Sequence, residues 1–218
     1  LSASARLDQH NVYGAVVNPR MSALVRAPAT SALAGWTIRA SAAMGAFAPT
    51  PFTEETEVTG LTALAPLGAL AQERARTGSV DVNGTALGLE LNGTLFASVV
   101  TDPIEVTEVV GSTLPSMLRV SNAIQPTRTT GAELLARWRH DGASVTGTYT
   151  FIHAMEFDPE VVRRVRVPLV PRHAIGVVGM YEVEGAGRAG LELYYTGTQA
   201  LGDNPYRSAS PPYLIVGF

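Results

Sequence analysis

The sequence predicts an all-β chain, an antiparallel up-and-down meander of strands that cross a membrane. Composition, alternation and the lengths of the connections carry this. Hydrophobic residues make up 46% of the chain and charged residues only 16%, against roughly 25% in an average soluble domain. Mean hydropathy is +0.14, yet no stretch approaches the roughly 18 uncharged apolar residues of a transmembrane helix. The longest charge-free runs, residues 40–52 and 60–72, are too short and contain Gly or Pro. A chain this apolar, without apolar blocks, must spread its hydrophobicity, and strands of period 2 do that.

The alternation recurs along the chain. In residues 2–8, Ala3, Ala5 and Leu7 alternate with Ser4, Arg6 and Asp8. In residues 36–45, Trp36, Ile38, Ala40, Ala42 and Met44 oppose Thr37, Arg39, Ser41, Ala43 and Gly45. Residues 89–99 set Leu89, Leu91, Gly93, Leu95, Ala97 and Val99 against Glu90, Asn92, Thr94, Phe96 and Ser98. In residues 143–151, Val145, Gly147, Tyr149 and Phe151 face away from Ser144, Thr146, Thr148 and Thr150. In residues 190–196, Leu191, Leu193 and Tyr195 oppose Glu192, Tyr194 and Thr196. Small residues are frequent on the apolar face, and Trp36, Trp138, Tyr149, Phe151 and Tyr195 fall near expected strand ends, as in an apolar band flanked by aromatic girdles.

The connections are expected to alternate in length. Short ones fall at residues 26–35, 85–88, 140–142 and 183–188, and long ones at 48–77, 100–127, 154–172 and 197–212. Short turns on one side and long loops on the other are the pattern of an outer-membrane barrel, with the turns in the periplasm. The count is roughly ten strands of about 9–11 residues, the length tilted membrane strands require.

Other features narrow the function. The absence of Cys excludes disulfides, thiolate metal sites and a cysteine nucleophile. The sixteen basic residues are all Arg, the net charge is −3, and no basic cluster in the sequence points to nucleic acid. The run Gly185-Ala-Gly187-Arg-Ala-Gly190 matches GxGxxG, but the residues after it alternate where a dinucleotide site needs a helix. It reads as a tight hairpin. His10, His140, His153 and His173 lack a second His at ligand spacing, so no metal site is expected. There is no GxSxG elbow, and a phosphate-binding loop is impossible without Lys. No catalytic residue and no cofactor are expected. Asn83-Gly-Thr85 and Asn92-Gly-Thr94 match a glycosylation pattern and read as incidental in a bacterial membrane strand.

Several segments are similar to those of TonB-dependent receptors. Residues 128–139, RTTGAELLARWR, resemble a Gly-x-Glu strand opening through Gly131 and Glu133. Residues 167–173, VPLVPRH, resemble a Pro-Arg-His lead into a late barrel strand. Residues 45–52, GAFAPTPF, resemble a strand exit into a large extracellular loop, with Phe47 where the family often has Arg. Asn18-Pro19-Arg20 resembles the start of a descending strand.

The resemblance implies that residues 1–218 form a single partial domain, about half of a 22-stranded transmembrane barrel. The plug domain, the energy-coupling box and the final strand or strands would lie outside it, so truncation is expected at both ends. The implied setting is the outer membrane of a Gram-negative bacterium. The implied function is active uptake of a scarce nutrient such as a ferric siderophore or cobalamin. The implied partners are the energy-coupling protein TonB, the plug, membrane lipid and the nutrient. Phe52, Glu54, Glu55, Tyr206 and Arg207 are the ligand-contact candidates in extracellular loops. Arg39, Glu90, Asn92, Glu133, Arg137 and Glu192 are expected to face the lumen. The alternatives are a passive porin or structural barrel, and a soluble β-sandwich adhesin.

Overall fold

The computed structural model describes residues 1–49, 64–66, 68–109, 117–159, 161–202 and 204–218. Its strands are β1 (Ser2–His10), β2 (Gly14–Arg26), β3 (Thr37–Phe47), β4 (Glu73–Ala86), β5 (Leu89–Thr101), β6 (Ile104–Glu108), β7 (Leu118–Asn122), β8 (Thr127–His140), β9 (Ala143–Asp158), β10 (Arg163–Arg166), β11 (His173–Val183), β12 (Gly187–Thr196) and β13 (Tyr213–Gly217). One antiparallel sheet runs β1-β2-β3-β4-β5-β8-β9-β11-β12-β13, with β10 paired to β9 off this path. β6 and β7 form a separate hairpin. β1 pairs only with β2 and β13 only with β12, so the sheet is an open piece of barrel wall.

This meander agrees with the expected one in order, with four departures. Strand lengths along the main path run from 9 residues in β1 to 16 in β9, except β13 with 5, while β6, β7 and β10 have 5, 5 and 4. β4 begins at Glu73, inside the segment read as a loop, because Glu-Arg-Ala-Arg does not carry an apolar face. β9 continues to Asp158, so Tyr149 and Phe151 lie mid-strand. Asn18-Pro19-Arg20 sits in the interior of β2 and opens no strand.

The alternation of connection lengths also has an exception. The connections at residues 27–36, 87–88, 141–142 and 184–186 share one end of the sheet. The longer connections, from β3 to β4, β5 to β8, β9 to β11 and β12 to β13, leave and re-enter the sheet at the other end, but so does the short turn 11–13. At the turn end, Leu87 and Gly88 have φ of 55° and 77°, and Asp141 and Gly142 have 43° and 79°. Two successive positive φ values make the tight turn whose twist matches a hairpin. At the loop end, Asn122 ties separate excursions together. Its Nδ2 donates to the carbonyls of Ala71 (3.1 Å) and Asp102 (2.7 Å), and its Oδ1 accepts from Ala71 N at 2.7 Å.

The fold has almost no dry core. Among the described residues the only fully buried hydrophobic side chain is Val120, 4% exposed, in the small hairpin. The accessible surface is 14981 Å² for 23.0 kDa, where a compact soluble monomer of that mass exposes roughly 9,600 Å². Ile38, Leu95, Val145 and Leu191 stand 51%, 65%, 42% and 49% exposed on one face. A β-sandwich would enclose these side chains between two sheets, so the soluble-adhesin alternative fails on packing. No described helix is long and apolar enough to cross a membrane.

Candidate functional site

Residues directly opposite in an antiparallel pair share a face, so the register sorts every side chain. Arg39 is opposite Asp81, Asp81 opposite Thr94, Thr94 opposite Glu133, and Glu133 opposite Thr150. Glu90 is opposite Arg137, Arg137 opposite Thr146, Thr146 opposite Val178, and Val178 opposite Glu192. These rows, together with Asn92, form one polar face. Ile38, Val82, Leu91, Leu95, Val145, Leu191 and Leu193 occupy the positions between them and form the apolar face. Trp36 precedes β3, and its ring covers Gly84 on that apolar face, where a Cβ would come within 2.1 Å of it.

The polar face is laced across strands. Thr94 Oγ1 donates to Asp81 Oδ1 at 2.9 Å, and Asn92 Nδ2 donates to Asn83 Oδ1. Arg137 Nε donates to Thr146 Oγ1 at 3.3 Å. On β1 and β2, Asp8 Oδ2 accepts from Asn18 Nδ2 at 2.7 Å and pairs with Arg6 Nε at 2.9 Å. Glu90 forms its ion pair with Arg139, one step along the same face from its register partner Arg137. Glu90, Asn92 and Arg137 therefore bond to neighbours outside the expected set. A hollow of about 410 Å³ opens on this face near the turn end, lined by Leu24, Arg26, Thr37, Arg39, Asp81, Asn83 and Asn92. Arg26, Asp81 and Asn83 were not foreseen there. The alternation of β4 would have revealed the last two.

The motif residues have local structural roles. Gly131 leaves room on the polar face for Phe96, since a Cβ there would be 2.4 Å from Phe96 Cζ and 2.5 Å from the Phe151 carbonyl oxygen. In the Pro-Arg-His segment, the Arg172 guanidinium lies 5.8 Å from the Phe151 ring centroid. His173 Nδ1 is 2.9 Å from the Tyr149 hydroxyl. The GxGxxG match is a hairpin, with Gly185 at φ 77° and Ala186 N donating to Val183 O at 3.0 Å.

Of the loop candidates, Phe52, Glu54 and Glu55 lie outside the described residues. Tyr206 and Arg207 share a turn in which both backbone N–H groups donate to Asn204 Oδ1 at 3.0 Å. Tyr206 is 90% exposed. The loop beneath is closed by a bridge between Ala200 and Ala209. Among the described residues, no group of three or more His, Asp or Glu side chains is placed to share a metal ion.

An open meander with one apolar and one charged face is a membrane-barrel wall by its chemistry, and comparison specifies which. The sequence profile described as "TonB dependent receptor-like, beta-barrel" matches residues 1–218. The chain belongs to the TonB-dependent receptor β-barrel family. The receptor chain resembles in fold the siderophore receptor PirA from Acinetobacter baumannii, with a TM-score of 0.70 and 16% identity over 97% of this chain and 35% of that one. The FrpB iron transporter from Neisseria meningitidis (F3-3 variant) gives 0.68 and 14%, over 93% and 31%. The ferric-catecholate import receptor Fiu from K12 E. coli gives 0.65 and 18%, over 93% and 28%. The chain thus spans about a third of the length of these solved relatives. No curated sequence matches it.

Proposed function

We propose that this chain is part of the wall of an outer-membrane receptor that actively takes up a scarce, bulky nutrient, of the class of ferric siderophores or cobalamin. The observation that carries the reading is the family match over residues 1–218 on a sheet with one largely polar and one largely apolar face. The apolar face meets lipid. The polar face, with Arg39, Glu90, Asn92, Glu133, Arg137 and Glu192, lines the lumen and contacts a plug domain. Nutrient binds reversibly among plug and loops, where Phe52, Glu54, Glu55, Tyr206 and Arg207 are the proposed contacts. Release follows when TonB, drawing energy from the inner membrane, pulls on the plug. The chemistry is binding and release with no covalent step.

Deletion of the whole gene is expected to abolish uptake of one labelled iron chelate or of labelled cobalamin. Deletion of TonB should have the same effect. Uptake that continues at full rate without TonB would replace the receptor by a passive barrel. Replacing both Tyr206 and Arg207 with Ala should raise the half-saturating nutrient concentration, with surface expression unchanged.

A further inference from the structure

Arginines on the apolar face are confined to one end of it. Every Asp and Glu within the ten strands of the main path has a register position on the polar face. The apolar face instead carries Arg74 and Arg76 on β4, Arg128 on β8, and Arg164 and Arg166 on β10, all at the loop end. At the turn end the same face shows Ile38, Ala86, Leu89, Trp138, Ala143 and Val183, with no arginine.

These arginines are ordered in a row. Arg76, Val99, Arg128, Met155 and Arg166 are matched in register across β4, β5, β8, β9 and β10. Strands about 4.8 Å apart put a guanidinium at intervals of about 10 Å along the row. Arg74 stands one row further out, opposite Thr101. All four side chains are exposed, and none makes an ion pair or a side-chain hydrogen bond among the described residues. Arg164 differs, since it donates to the Pro126 carbonyl at 3.0 Å and to Gln125 Oε1 at 3.2 Å.

The height of the row fixes what it meets. From Leu89 to Val99, β5 presents only uncharged side chains on this face. That stretch is about 33 Å along the strand, or about 25 Å of height at a tilt near 40°, the full apolar band of a membrane barrel. The arginine row therefore sits at the headgroup level on the loop side. A guanidinium fork matches the oxygens of a phosphate in paired hydrogen bonds, and no carboxylate of these strands competes on that face.

We propose that Arg74, Arg76, Arg128 and Arg166 form a binding row for the phosphates of an anionic lipid headgroup in the leaflet on the loop side. This rests on the membrane placement proposed above. The test uses the full-length protein containing this chain, purified folded in neutral detergent and titrated with diphosphoryl lipid A by native mass spectrometry. The triple variant Arg76→Gln/Arg128→Gln/Arg166→Gln is expected to bind about five-fold more weakly per charge removed, on the order of 100-fold in all. The triple variant Arg6→Gln/Arg20→Gln/Arg188→Gln, on the opposite face, should keep wild-type affinity. Millimolar inorganic phosphate should not displace the lipid, and dephosphorylated lipid should bind weakly to all three proteins. Equal affinity in wild type and the first triple variant, equal loss in both triple variants, or displacement by free phosphate would each overturn the proposal. A folded, heat-modifiable barrel with arginine-independent lipid affinity rejects the row alone. A protein that is monomeric without detergent rejects the membrane reading with it.

Discussion

Within β12, Leu191 and Leu193 point one way while Glu192 and Tyr194 point the other, and the two faces are held by different means. The polar face is cross-linked from strand to strand, as by Thr94 to Asp81 and Arg137 to Thr146. Among the described residues the apolar face has one such tie near its loop end, Tyr149 to His173, and otherwise stands exposed, with Leu95 at 65%. Its stability must come from what surrounds it. One face is thus completed by the protein's own hydrogen bonds and the other by its solvent, so equal changes on the two faces should have unequal effects.

The sharpest way to break that contrast is a charge on the apolar face. Leu193→Arg in the full-length protein should cost about 2–4 kcal/mol if the site is near the bilayer midplane. It should lower the heat-modifiable fraction recovered from outer membranes, while Glu192→Gln leaves that fraction near wild type. Equal yields would show that the faces are not solvated differently. Next in size is Gly131→Leu, which drives a side chain into Phe96 and should destabilise by about 1–3 kcal/mol in a urea titration. Adding Phe96→Ala should restore only part of the loss, because the Phe151 carbonyl also crowds that position.

The alternation exposed both faces of β1, β3, β5, β9 and β12 because each side sees a single environment through most of its length. It failed where that environment changes. Glu73 to Arg76 open β4 with charge on both sides, Glu73 on the polar face and Arg74 and Arg76 on the other. The end of β9 and all of β10 were hidden in the same way, with charged side chains on both faces where the two strands pair. β6 alternates openly as Ile104-Glu105-Val106-Thr107-Glu108, but a five-residue strand in a long connection gives too weak a signal. At the site, the sequence reading placed Glu90 and Arg137 on one face. That Glu90 reaches Arg139 instead depends on side-chain length and register, which alternation does not encode.

Smaller changes sharpen the comparison of the two ends of the sheet. Leu87 holds φ of 55° and is 99% exposed at its turn. A left-handed conformation costs a non-glycine residue about 1–2 kcal/mol, and Asn relieves part of that. Leu87→Asn should therefore raise the urea midpoint slightly, by the equivalent of less than about 1 kcal/mol. The smallest expected effect is Glu90→Gln. It removes an ion pair whose partners are 61% and 49% exposed, and such surface pairs contribute little. Its unfolding midpoint should stay within the scatter of surface variants.

Asn122 gives the loop end a property that its separate connections would lack. A single carboxamide holds Ala71, just ahead of β4, and Asp102, just after β5, to the end of β7. Leu118 on the same strand also bridges Leu64, and its carbonyl accepts from Ala65 N at 2.7 Å. Two excursions far apart in sequence are therefore one mechanical part. Transplanting either one alone into a related receptor should leave a carboxamide, or the backbone groups it serves, without partners. Moved together, they should travel as an exchangeable module, and variation in the length of one should be answered by variation in the other.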